Sequence, residues 1–261
     1  MKQTILSEKQ SELLENLIIK HRRIVTTAQI YETASAHWNE IQTKKQISLL
    51  VENGWLIRVK RGVYVISDLS SRGFLSLSPL VVAGLLNQDS YVSFEAALSY
   101  HGMFDQLANK IISISKKRYK TTKVSNTEYV FVKTSEQFFF GWEEVSVDGE
   151  LVRVATAEKA LMDIVQFHKS KYSIDLVVEK IQEFQEVLDM EKFNSYLTKM
   201  STTTIKIFGL IFDLLDIDSS HLQKKIGNLK GTNWMISGDK RFNAKWRLYY
   251  DEYFDKYKIG K

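Results

Sequence analysis

Nine side chains between Gln42 and Arg61 have the types and spacing of a nucleic-acid reader. Gln42, Thr43, Lys44, Lys45, Gln46 and Ser48 cluster at the start of a helical pattern, and Arg58, Lys60 and Arg61 follow on a short cationic hairpin. Lys and Gln hydrogen-bond the edges of guanine and adenine, while basic residues on a hairpin neutralise backbone phosphates. Each group by itself has a plainer reading. Any exposed helix can carry Lys, Gln and Ser, and basic residues also discourage unwanted pairing at a sheet edge. Helix followed directly by basic hairpin is the combination that points to DNA.

The elements that would position these residues are marked in the sequence. Ile47, Leu50 and Val51 share one side of a 3.6-residue period, Thr43 is the expected cap of this third helix, and Asn53-Gly54 is its stop signal. Trp55–Val59 and Val63–Ile66 read as strands, with Gly62 where a tight turn needs a positive φ and Tyr64 packed under the hairpin. Upstream, Ser7 and Gln10 have capping-box spacing ahead of Leu13, Leu14, Leu17 and Ile18, and His21, Arg22 and Arg23 suit the negative end of that helix dipole. A second helix is expected from Thr27 to about Ala36, with a turn at Trp38–Ile41. The order predicts a winged helix-turn-helix over residues 1–70.

Composition bounds the rest. The chain has 261 residues, 44% of them hydrophobic, enough for a substantial core. Cysteine is absent, which removes disulfides, thiolate metal sites and cysteine nucleophiles. The five histidines are scattered without metal-ligand spacing, so neither metal nor cofactor is expected. Glu158 and Asp163 are the nearest approach to a catalytic acid pair, but five residues apart they do not share a helix face; the chain is not expected to be an enzyme. The amino terminus turns polar too soon for a signal peptide, and the apolar run Pro79–Leu86 is too short to cross a bilayer, so a cytoplasmic protein without a membrane partner is expected.

The net charge of +5 is segregated. Residues 1–66 carry ten Lys or Arg against six acids, residues 222–261 carry ten against four, and residues 134–200 carry seven against thirteen. Segregated cationic faces suit phosphate binding. Lys116, Lys117, Arg118 and Lys120 form one further island, and Lys240, Arg241, Lys245 and Arg247 another. With Tyr119, Phe242, Trp246 and Tyr249 as neighbours they make a candidate second nucleic-acid patch, for additional DNA or RNA. Core aromatics beside solvated lysines would give the same pattern.

Residues 67–78, rich in Ser and Gly, read as a linker to a second domain over 71–261. Ser78-Pro79 opens an apolar helix, and Ser93 is the expected cap of the next. Strands are predicted at Ile111–Ser115, Glu128–Lys133, Gln137–Phe140, Val145–Val147 and Leu151–Val154, the last two joined by an Asp148-Gly149 turn. Thr156 caps the helix AEKALMDIVQF, and helices follow near Asp175–Val187, Met190–Met200, Thr203–Leu215 and Ser219–Gly227. The fold class is α+β: a winged helix-turn-helix, then a larger mixed domain with an antiparallel sheet and several helices.

Three segments in this order, LVENGWLIRVKRGVYVI, YVSFEAALSYHGM and VATAEKALMDIV, resemble the AbiEi antitoxins of the AbiE abortive-infection toxin-antitoxin systems. The resemblance covers roughly Val25 to Val165. It implies a cytoplasmic antitoxin of type IV, active in phage defence, that represses its own operon by binding inverted repeats in operator DNA. It also implies that the carboxy-terminal domain counteracts a nucleotidyltransferase toxin without a stable complex. A winged-helix transcriptional regulator with a ligand-sensing carboxy-terminal domain and no toxin partner is the alternative.

Overall fold

The structure is a computed structural model and describes residues 5–67, 70, 72–106, 109–227 and 231–258. The chain divides into two compact units, Met1–Asn87 with Lys123–Thr127, and Gln88–Thr122 with Glu128–Lys261.

The first unit has the order expected of a winged helix: α1 (Glu8–His21), β1 (Ile24–Thr26), α2 (Thr27–Ala34), α3 (Glu40–Glu52), β2 (Leu56–Lys60) and β3 (Val63–Ile66). The strands form an antiparallel sheet in the order β1-β3-β2. Each helix begins with a complete capping box, from Ser7 and Gln10, Thr26 and Gln29, and Asn39 and Gln42. Leu13, Leu14 and Leu17 of α1, Ile30 and Ala34 of α2, Ile47 and Leu50 of α3, and Trp55, Leu56 and Tyr64 of the hairpin bury one shared core. Burial of each large apolar side chain contributes about 1.5–3 kcal/mol, so this core, not helix propensity, holds the unit together.

The described residues of the stretch 67–78 make specific contacts with the first unit. The Ser67 amide donates to the Trp55 carbonyl at 2.9 Å and the Gly73 amide to the Gly54 carbonyl at 3.0 Å, while Arg72 lies over the Trp55 ring. Gly54 sits at φ +78°, and a Cβ there would lie 2.9 Å from the Gly73 Cα, so glycine is required both for the helix stop and for this close approach. The segment leads into α4 (Pro79–Leu86), which packs on β2 and extends the first unit beyond residue 70. A Ser- and Gly-rich composition reports a lack of regular structure, not a lack of contacts.

The second unit is built on a sheet in the order β7-β5-β4-β9-β8, from β4 (Ser90–Val92), β5 (Lys110–Ser115), β7 (Thr127–Lys133), β8 (Trp142–Val147) and β9 (Glu150–Ala155), while β6 (Thr122–Val124) falls largely in the segment Lys123–Thr127 counted with the first unit. The sheet is mixed. The Asp148-Gly149 turn gives the expected antiparallel β8–β9 hairpin, but β5 pairs with β7, and β4 with β9, in parallel. Those parallel pairs join strands that a local turn cannot link, which is why alternation alone did not reveal them. Residues 137–140, expected as a strand, instead enter a 3-10 turn at Glu136–Phe138.

Helices α5 (Phe94–Tyr100), α6 (Ala157–Phe167), α7 (Lys171–Phe184), α8 (Met190–Leu197), α9 (Thr202–Leu214) and α10 (Ser220–Ile226) complete the body. The carboxy-terminal stretch adds a second small sheet, β10 (Asn233–Trp234), β11 (Arg241–Asn243) and β12 (Leu248–Tyr250), in the order β10-β12-β11. No helix among the described residues is long and apolar enough to cross a membrane.

Candidate nucleic-acid interface

Asn39, and not Thr43, caps α3. Its side chain accepts the Gln42 amide at 2.9 Å while Gln42 Oε1 accepts the Asn39 amide at 3.0 Å. This moves the start of the helix one turn earlier than expected and decides which side chains face outward. Thr43 is 1% exposed and faces the core beside Ile47 and Leu50, so it is withdrawn from the set that can touch DNA. Gln46 is half-buried and its Oε1 accepts from Gln10 Nε2 at 2.8 Å, a tie to α1 that competes with base reading. Lys44, Lys45 and Ser48 are exposed, with the Ser48 hydroxyl donating to the Lys44 carbonyl at 3.2 Å.

The same shift exposes a residue missed in the sequence. Ile41, expected in the preceding turn, is the second residue of α3 and is 83% exposed. With Lys44, Lys45 and Ser48 it forms the outward face of the first two-thirds of the helix, where an apolar side chain suits a thymine methyl group. The Asn39-x-x-Gln42 spacing is the signal that would have found it.

The hairpin beside α3 is short. Lys60 pairs with Val63, leaving Arg61 and Gly62 as the turn, and Gly62 has φ +80° as expected. The Gly62 carbonyl accepts the Thr27 amide at 2.9 Å, which fixes the turn against the first residue of α2. Arg58 and Arg61 are exposed; Lys60 is half-buried, its Nζ 3.5 Å from the Leu86 carbonyl. Tyr64 is buried in the core, as expected.

The candidate second patch does not hold together as one cationic surface. Lys116 pairs with Glu136 at 3.2 Å and Lys117 with Asp89 at 3.5 Å, leaving Arg118 and Lys120 exposed without a carboxylate partner among the described residues. Arg241 pairs with Asp255, and Lys245 with Asp213 at 2.7 Å. Trp246, offered as a stacking surface, is 1% exposed; its Nε1 donates to Asp213 Oδ2 at 2.7 Å. It is a core residue. Lys240 and Arg247 remain exposed.

Glu158 and Asp163 do not form a catalytic pair. Glu158 Oε1 accepts the Asp189 amide at 3.1 Å, at the start of α8. Asp163 is fully buried, ion-paired with Lys159, and accepts from Ser93 Oγ at 2.8 Å and Tyr91 OH at 3.1 Å. Burial pushes the Asp163 carboxyl up, against the pull of Lys159 and the two hydroxyls, and burial with the neighbouring carboxylate pushes Tyr91 up. Ser93 therefore spends its hydroxyl on Asp163 and does not cap α5. Among the described residues no group of three or more His, Asp or Glu side chains has the geometry to hold a metal.

Residues 12–67, which run from within α1 through the hairpin, match the family model described as a transcriptional regulator, AbiEi antitoxin. No curated protein matches the sequence. The fold is similar to that of the RV2827C protein from Mycobacterium tuberculosis, solved by crystallography: 12% identity, 95% of this chain and 93% of that one covered, and a TM-score of 0.68.

Proposed function

From the AbiEi-type regulator domain at residues 12–67, we propose that this protein is an antitoxin and transcriptional autorepressor that binds inverted repeats in its own promoter. The observation that carries the reading is the outward face of α3 beside the basic hairpin. Ile41, Lys44, Lys45 and Ser48 enter the major groove, and Arg58, Lys60 and Arg61 lie along phosphates. Gln42, whose side chain also closes the capping box, sits at the edge of that contact. Molecules on adjacent repeats make repression cooperative.

The second unit supplies antitoxicity toward a nucleotidyltransferase toxin, acting on the toxin's effect and not through a stable complex. Its helical and sheet framework supports this only as a scaffold, since Glu158 and Asp163 are committed to packing. No enzymatic step is assigned to the protein.

A salt-dependent mobility-shift titration on the upstream region, with the inverted repeats intact or scrambled, tests the repressor reading. Preference for the intact repeats and a steep loss of affinity with salt are expected. Equal binding to both duplexes removes operator recognition. The antitoxin reading expects a nucleotidyltransferase reading frame in the same operon, and coexpression with its product tests it: restored growth without copurification is expected, and absence of such a frame or unrelieved toxicity overturns it.

A further inference from the structure

The small carboxy-terminal sheet carries an aromatic row on its open face. Register pairs Trp234 of β10 with Tyr249 of β12, and Tyr249 with Phe242 of β11. The Trp234 and Tyr249 rings stack, with centroids 5.1 Å apart and planes at 13°, and the Phe242 ring lies 5.0 Å from Tyr249. Trp234 is 48% exposed and Phe242 45%, whereas Leu248 and Tyr250 on β12 and Met235 just after β10 are buried. The buried residues already give this sheet its core, so stability does not require aromatic rings on the other side.

The surroundings are cationic. Lys240 precedes β11 and Arg247 precedes β12; both are exposed and neither has a carboxylate partner among the described residues. Of the carboxylates on this stretch, Asp255 is paired with Arg241 and Lys258 and Asp251 with Lys171, and Asp239 accepts the Ile236 amide at 2.8 Å; Asp239, Asp251 and Glu252 share a neighbouring cleft with Lys240 and set the acidic border of the face. Beside Trp234 opens a cleft of about 680 Å³ lined by Lys169, Thr203, Thr232, Asn233 and Ser237. Lys206 Nζ donates to Asn233 Oδ1 at 2.8 Å and to the Gly231 carbonyl at 2.6 Å, and has no ion-paired carboxylate among the described residues. Exposed stacked rings bordered by unbalanced cations and hydroxyls match unpaired bases followed by phosphates.

We propose that β10, β12 and β11 form a platform for single-stranded nucleic acid, with bases on Trp234, Tyr249 and Phe242 and phosphates drawn to Lys240, Arg247 and the Lys169 edge of the cleft. Three adjacent strands about 4.8 Å apart give the row room for two or three bases. These residues all belong to the second unit, and the proposal does not rest on the DNA-binding role proposed for the first.

The test uses the full-length protein with a labelled 12-nucleotide oligouridylate and the matching oligodeoxythymidylate, read by anisotropy and tryptophan quenching. Trp234→Ala and Phe242→Ala are each expected to weaken binding about tenfold, and Trp234→Phe to retain most of it. Lys240→Ala and Arg247→Ala should each lower the salt slope by about 0.7. The cation variants carry the test if an aromatic variant loses its thermal transition. Binding of RNA alone, DNA alone or both, with these losses, supports the platform and identifies its source. Absence of binding to both strands, or binding that all four alanine variants leave unchanged, overturns it. A dimer dissociated by Trp234→Ala also overturns it, assigning the face to a second copy. Duplex operator titrated against the same proteins reports separately on the first unit.

Discussion

Lys159 and Asp163, one turn apart on α6, form an ion pair in which neither side chain has any solvent exposure. Lys159 Nζ also donates to Tyr91 OH at 3.0 Å, and Asp163 holds the Ser93 hydroxyl. Tyr91 and Ser93 come from β4 and the residue that follows it, and Lys159 and Asp163 from α6. Those segments meet at a buried polar lock between the sheet and its central helix.

Removing one member of this lock should cost more than replacing both. Lys159→Met leaves a buried carboxylate without its counter-ion and is expected to lose about 3–5 kcal/mol, whereas Lys159→Met with Asp163→Leu should recover much of that. Urea denaturation of the two variants decides the matter. A single variant as stable as the parent would show that the pair contributes nothing to the fold.

Gly209 on α9 lies against the Trp246 ring, and a Cβ there would fall 2.4 Å from ring carbons. Gly209→Ala must displace a tryptophan whose Nε1 is fixed to Asp213, and is expected to destabilise by about 1–3 kcal/mol despite alanine's better helix propensity. An unchanged thermal midpoint and near-ultraviolet dichroism would refute the contact.

On the proposed operator face, reading and positioning should be separable. Lys45→Ala should weaken binding to the intact repeats more than to scrambled duplex, while Arg61→Ala should weaken both and lower the salt slope by about one. Gln46→Ala should instead reduce stability by about 1 kcal/mol through loss of the Gln10 bond, with little change in specificity. Lost specificity at unchanged stability would return Gln46 to the bases.

His168 gives the second unit an acid sensitivity. Its ring packs 4.5 Å from that of Phe94, and burial holds its pKa below the usual histidine value, with Lys110 adding to the shift and Glu95 opposing it. The unfolded chain therefore binds this proton more readily than the folded one. Stability is expected to fall as pH drops from about 6.5 toward the lowered folded-state value. His168→Phe should flatten this part of the stability–pH profile. A variant with the parent's slope would place the sensitivity elsewhere.

Sequence alone determined what depends on neighbours in the chain. The capping box at Ser7 and Gln10, the Thr156 cap, the Gly54 stop, the positive-φ Gly62 and the Asp148-Gly149 hairpin all rest on spacings of a few residues, and all are present. Periodicity also found Leu13, Leu14 and Leu17 of α1 and Ile47 and Leu50 of α3, because burial follows the helical repeat, but it wrongly added Ile18, which is 44% exposed. The tertiary structure decided the rest. It turned Thr43 inward and Ile41 outward through one cap, engaged Gln46 with Gln10, sank Trp246 beneath Gly209, and aligned Trp234, Tyr249 and Phe242 across three strands. Register between strands and contacts between distant segments are fixed by which buried surfaces fit together, and spacing along one chain carries no record of that fit.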